Sequence, residues 1–184
     1  MNQPPCPYWV IAIDPGTHDT GVALFKDGVF YDAFTLQART AIRDADIRSF
    51  NIVSLLAERV WHLIYCQPCH VIHADLVYED PTFMRRKDRD GTDMGIPIAQ
   101  LFRFIGHLDQ WGRSYNLQVF KYGVNAIKTG IAGRAGASKT EVETILRHEF
   151  NLHDANFTSH AFDAISVGHY HLIQLRIGAA IMKE

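Results

Sequence analysis

The hydrophobic pattern of this chain changes period several times. Residues 9–13 form an unbroken apolar run that stops at Asp14, and Pro15-Gly16 follows at once. A second apolar run covers residues 21–25, and a third, more mixed run covers 29–36. Short apolar runs bounded by Pro, Gly and Asp predict strands, here over residues 8–14, 21–26 and 29–36. Asp27-Gly28 between the last two is a hairpin signal. The period then lengthens. Ile52, Leu55, Leu56, Val60, Leu63 and Ile64 fall on one stripe, which predicts a helix over residues 44–65. Residues 71–79 predict a fourth strand, apolar except at His73 and Asp75.

The segment 82–95 is polar and basic and reads as a loop. Residues 96–111 predict a helix carrying Ile98, Leu101, Ile105 and Leu108, with Phe102 and Phe104 on different faces. Residues 117–122 predict a fifth strand and 124–129 a short helix. Three glycines mark 130–138 as a loop, and 139–150 and 160–182 predict the last two helices. Three strands, helix, strand, helix, strand, helices is the order of a mixed α/β sheet with helices on its faces. With no repeat or linker in view, residues 1–184 read as one domain.

Composition narrows the class. The chain is 47% apolar and 21% charged, which fits a globular protein with a substantial core. No apolar stretch approaches the roughly 20 residues needed to span a bilayer, and residues 1–7 lack the pattern of a secretory signal. A cytoplasmic protein is the expectation. Cys6, Cys66 and Cys69 are an odd set, which argues against a disulfide framework. The net charge of −2 does not announce a nucleic-acid binder. Basic residues are nevertheless grouped: Arg85, Arg86, Lys87 and Arg89 in one segment, Lys121, Lys128, Arg134 and Lys139 in another.

Candidate chemistry sits at the ends of these elements. The first predicted strand delivers Asp14 to its end, and the fourth delivers Glu79 in the same way. If those strands are neighbours, both carboxylates stand at one edge of the sheet. His160 and Asp163 are three residues apart, so on a helix they share a face. An oxygen-rich set with one imidazole suits Mg²⁺ or Mn²⁺, and a pair of such ions can promote phosphodiester hydrolysis. Each residue alone is more often a turn, a cap or a structural group. The four together single out the site.

Four blocks in order resemble the RuvC-type Holliday-junction resolvases of the ribonuclease H-like fold: residues 11–21 (IAIDPGTHDTG), 77–84 (VYEDPTFM), 119–142 (VFKYGVNAIKTGIAGRAGASKTEV) and 159–171 (SHAFDAISVGHYH). The resemblance implies a five-stranded mixed sheet, its first three strands antiparallel, flanked by helices. It implies that Asp14, Glu79, His160 and Asp163 hold two Mg²⁺ (or Mn²⁺) ions, with Lys128 and Lys139 beside the scissile phosphate. Phe83 would match an aromatic that stacks on bases, and Arg85, Arg86, Lys87 and Arg134 would join the DNA-binding surface. The implied activity is paired nicking of four-way DNA junctions by a homodimer, leaving 5′-phosphate and 3′-hydroxyl ends. His160 stands where many members carry Asp, and one extra residue separates Glu79 from Phe83.

Other readings compete. A nuclease for forks or flaps would use the same site, and a junction-binding protein without activity would not need all four ligand types. The opening motif also resembles actin-like ATPases and sugar kinases, which need two lobes where this length suffices for one. Residues 133–140 (GRAGASKT) miss a phosphate-binding P-loop by one residue, Ser138 standing for the last Gly. Cys66, Cys69, His70 and His73 offer four zinc ligands within eight residues, closer than zinc sites usually place two ligand pairs.

Overall fold

The computed structural model of the protein describes residues 6–38, 44–65, 73–80 and 95–182. Strands β1 (Tyr8–Asp14), β2 (Asp19–Lys26) and β3 (Val29–Gln37) precede helix α1 (Ala45–Tyr65). Then follow β4 (His73–Glu79), α2 (Gly95–Ser114), β5 (Gln118–Tyr122), α3 (Val124–Ala132), α4 (Lys139–Glu149) and α5 (Ser159–Ile181). The sheet order is β3-β2-β1-β4-β5. β1 pairs antiparallel with β2, and β2 with β3, whereas β1–β4 and β4–β5 are parallel. Each predicted strand and helix in the described residues is present, with ends displaced by a few residues.

The Asp27-Gly28 turn has positive φ at both residues, 52° and 79°, which matches the right-handed twist of a two-residue hairpin. β1 is apolar without alternation because it is the central strand and is covered on both faces. Trp9, Ile11 and Ile13 enter one core with Leu76, Tyr78 and the buried sides of α1 and α2. Val10 and Ala12 enter the other, with Val77 and α5. On that second face the strands present small residues, Ala12, Ala23 and Ala33, so α5 lies close to the sheet. Gly168 belongs to the same adaptation: a Cβ there would stand 2.2 Å from Phe25 Cε2. Residues 164–169 of α5 are all buried, around more than one face of the helix.

One expectation changes. Cys6 is disulfide-bonded, so the odd cysteine count does not leave it reduced. The near P-loop is a decoy, a helix–helix connection where the sequence predicts a loop and then a helix. It follows α3 rather than a strand, Gly133 closes α3 with φ 74°, and Ser138 caps α4 by accepting from the Glu141 N–H at 3.1 Å. Ser138 stands where a P-loop needs glycine because it is an N-cap. Of the zinc candidates, Cys66, Cys69 and His70 lie outside the described residues, and His73 opens β4.

Candidate metal centre

Strand register brings the two strand-end carboxylates together. β1 and β4 run parallel with Ile13 opposite Tyr78, and one residue further on Asp14 stands beside Glu79. In-and-out alternation sends both to the α5 side of the sheet, with Val10, Ala12 and Val77. The turn after Asp14 is tight. A Cβ on Gly16 would lie 2.0 Å from the Asp19 carbonyl oxygen, and Thr20 Oγ1 donates to the Gly16 carbonyl at 2.7 Å.

The start of α5 closes over this edge. Asp14 pairs with Gly21 across the β1–β2 ladder, and a Cβ on Gly21 would fall 1.9 Å from the His160 carbonyl oxygen. Gly21 therefore lets the first turn of α5 rest on β2 beside Asp14. Thr158 caps that turn, its side chain accepting from the Ala161 N–H at 3.2 Å. Held this way, His160 Nδ1 lies 2.8 Å from Asp14 Oδ2. Asp163, one turn further along α5, is ion-paired with Lys139, the first residue of α4.

Asp14, Glu79, Asp163, Lys128 and Lys139 line one cleft of about 290 Å³ over an apolar floor of Ile127, Val142 and Phe162, whereas His160 is not part of the lining and meets the site through Asp14. Glu143 also lines it and pairs with Arg147 at 2.9 Å. The sequence reading missed Glu143, although it lies one turn after Lys139 and so on the same face of α4. Arg134 is turned to Glu141 in an exposed ion pair, outside the cleft lining. Phe83, Arg85, Arg86 and Lys87 lie outside the described residues.

The cleft concentrates negative charge on partly buried carboxyl groups. Burial, then the negative charges of Asp14 and Asp163, push the Glu79 carboxyl up to about 7, against the opposing pull of Lys139 and Lys128. Burial also raises Asp163, although Lys139 partly offsets it. His160 is raised chiefly by its bond to Asp14, against the effect of burial. For Lys139, burial acts downward, but its bond to Asp163 and the charges of Asp14 and Glu79 outweigh it and hold it above the ordinary lysine value. Among the described residues no three His, Cys, Asp or Glu side chains already converge into a closed coordination cage. Lys139 and His160 each hold one of the carboxylates, Asp163 and Asp14. Three carboxylates in mutual repulsion with one imidazole are the donor chemistry of a hard divalent ion.

No protein-family model matches the chain, and no curated protein matches it in sequence. Solved structures do match its fold. One is T. thermophilus RuvC in complex with a Holliday junction substrate, at TM-score 0.74 and 20% identity, covering 93% of this chain and 96% of that one. A second is a Thermus thermophilus RuvC structure, at TM-score 0.70 and 20% identity, covering 92% and 96%. Nearly the whole described architecture is shared, down to the mixed five-stranded sheet whose first three strands are antiparallel. The chain has the ribonuclease H-like fold of the RuvC structures.

Proposed function

We propose that the protein is a divalent-metal-dependent endodeoxyribonuclease that resolves four-way DNA junctions. The observation that carries this reading is the meeting of Asp14, Glu79, His160 and Asp163 at one sheet edge, flanked by Lys128 and Lys139. The four come from β1, β4 and α5, and neither stability nor packing asks for three carboxylates in one cleft. The likeness in fold to a RuvC bound to a Holliday junction supports the choice of substrate.

In this reading Asp14, Glu79 and Asp163 are the oxygen donors and His160 the nitrogen donor for two Mg²⁺ or Mn²⁺ ions. Ions held there would acidify a water and stabilise the charge of the leaving oxygen. Lys128 and Lys139 would place the scissile phosphate and offset its charge. Lys139 would be free to exchange Asp163 for the phosphate, and with ions bound Asp14 and Asp163 would serve as donors rather than as partners of His160 and Lys139. The strand is left with a 5′-phosphate and a 3′-hydroxyl. A homodimer would supply two such sites for paired nicks. The apolar side chains left open on α1 and α2, Phe50 at 64% and Phe102 at 45% exposed, fit a surface between two copies. Among the described residues no helix is long and apolar enough to cross a membrane.

The test is cleavage of a mobile four-way junction beside fork, flap and linear duplex controls, in Mg²⁺ or Mn²⁺. Asp14→Asn should bind the junction and leave it uncut. Cleavage by purified Asp14→Asn would refute the assignment, and preference for forks or flaps would move the reading to a nuclease for other branched DNA. Junction binding without cleavage by the wild-type protein would make it a non-catalytic junction binder.

A further inference from the structure

A hydrogen-bonded polar cluster lies inside the α5 face of the sheet, remote from the cleft. Asp75 of β4 is 7% exposed and His171 of α5 is 1% exposed. His171 Nε2 lies 2.9 Å from Asp75 Oδ2, and Tyr122 Oη lies 2.7 Å from His171 Nδ1. Tyr8 Oη donates to the same Asp75 oxygen at 2.5 Å. Both phenols stay protonated. Burial raises each, joined at Tyr8 by the bond to Asp75, and Tyr122 reaches about 12. A ring that donates from Nε2 to Asp75 and accepts at Nδ1 from Tyr122 uses both of its nitrogens. Four elements thus meet at one imidazole.

In outline this is a hydroxyl, an imidazole and a carboxylate in series, but it is no activated nucleophile. Activation needs a lowered pKa, and Tyr122 is raised. As a stabilising device the cluster is also weak, because well-packed apolar side chains serve as well as or better than a buried ionisable pair. Its distinguishing property is that it permits one geometry.

That geometry connects to the cleft. Asp75 and Glu79 lie four residues apart on one face of β4, about 13 Å. His171 and Asp163 lie eight residues apart on α5, about 12 Å. The spans match, so β4 and α5 face each other at two levels: a buried one at Asp75 and His171, and an open one at Glu79 and Asp163. A slip of α5 by one residue would move its donors by about 1.5 Å and turn them by about 100°.

We propose that Asp75 and His171, with Tyr8 and Tyr122, form a positioning network that sets α5 against β4. It thereby holds Asp163 and His160 within reach of Glu79 and Asp14. The functional consequence rests on the nuclease reading above; the structural one does not.

The test is the double variant Asp75→Leu/His171→Phe, which replaces both partners by apolar groups. It should fold with a melting temperature several degrees below that of the wild type, because the Tyr8 and Tyr122 hydroxyls lose their partners. Its kcat on a four-way junction should fall tenfold to a hundredfold, as expected for donors misplaced by about 1 Å. The Mn²⁺ concentration for half-saturation should rise, while junction affinity in Ca²⁺ stays unchanged. In the metal-free protein, the NMR signal of the His160 ring proton shared with Asp14 should broaden. If the double variant does not fold, Tyr122→Phe removes one hydroxyl and should show the same split in smaller measure. A folded variant with wild-type kcat, Mn²⁺ half-saturation and His160 signal would overturn the proposal. So would activity lost only in proportion to folded protein. Wild-type protein that neither binds Mn²⁺ nor cuts would refute the nuclease reading instead, and the His160 signal would still decide the positioning role.

Discussion

Replacing Glu79 by Gln removes a carboxylate that the metal-free fold holds against its own electrostatics. In the folded protein the Glu79 carboxyl stands at about 7 rather than the ordinary 4.5, through burial and the charges of Asp14 and Asp163. The folded state therefore binds this proton more tightly than the unfolded chain does. Stability from the protonated form is present below the unfolded value and is lost as pH rises to about 7. At about 1.4 kcal/mol per pH unit, the loss between pH 5 and pH 8 is at most roughly 3 kcal/mol, and screening at the open side of the cleft lowers it to roughly 1–2 kcal/mol. Gln carries no charge at either pH and loses nothing. With chelator present, Glu79→Gln and wild type should melt within a few degrees of each other at pH 5. At pH 8 the variant should melt higher by about 2–8 °C, taking about 2–4 °C per kcal/mol for a chain of this size. The assay is differential scanning calorimetry at both pH values, repeated with Mg²⁺. Added ion should raise the wild type more than the variant, because it relieves the same repulsion. An equal gap at pH 5 and pH 8 in chelator would refute the claim that the site stores carboxylate repulsion.

Three further outcomes are expected. Gly21→Ala places a Cβ against the His160 carbonyl; it should cost about 1–3 kcal/mol by thermal melting and remove most cleavage activity, since the start of α5 must lift. Thr158→Ala deletes the α5 cap and should lower stability by about 1 kcal/mol, read by denaturant unfolding. Junction affinity should fall steeply with salt, and Lys128→Ala should reduce the slope of log affinity against log salt by about one while weakening all junction sequences alike; an unchanged slope would remove Lys128 from the phosphate contacts.

The elements of this fold were readable because their signals are local. An apolar run ended by a carboxylate marks β1 and β4 as strands that each carry an acid at the C-terminal end. The i, i+3 spacing of His160 and Asp163 needs only a helix to put them on one face. Asp27-Gly28 states its own turn. One decoy and one failure have equally plain causes. Residues 133–140 look like a phosphate loop because glycines and Ser-Lys-Thr also serve a helix end followed by a helix cap. Cys6 forms its disulfide because bridging depends on where cysteines meet in space, not on how many there are.

What the sequence alone determined is which residues end strands and which share a helix face, since those follow from backbone periods of two and 3.6 residues. What only the tertiary structure decided is who meets whom across the sheet. Asp75 reads as a stray polar residue in a strand, and His171 as one more histidine near Asp163. Ninety-six residues apart in the chain, they meet at 2.9 Å in the interior. Lys139 meets Asp163, and Gly21 meets His160, for the same reason. Local sequence fixes the direction in which a side chain leaves its element. Its partner depends on how deeply α5 settles on the alanine-lined sheet, and that depth belongs to the packing of the whole core.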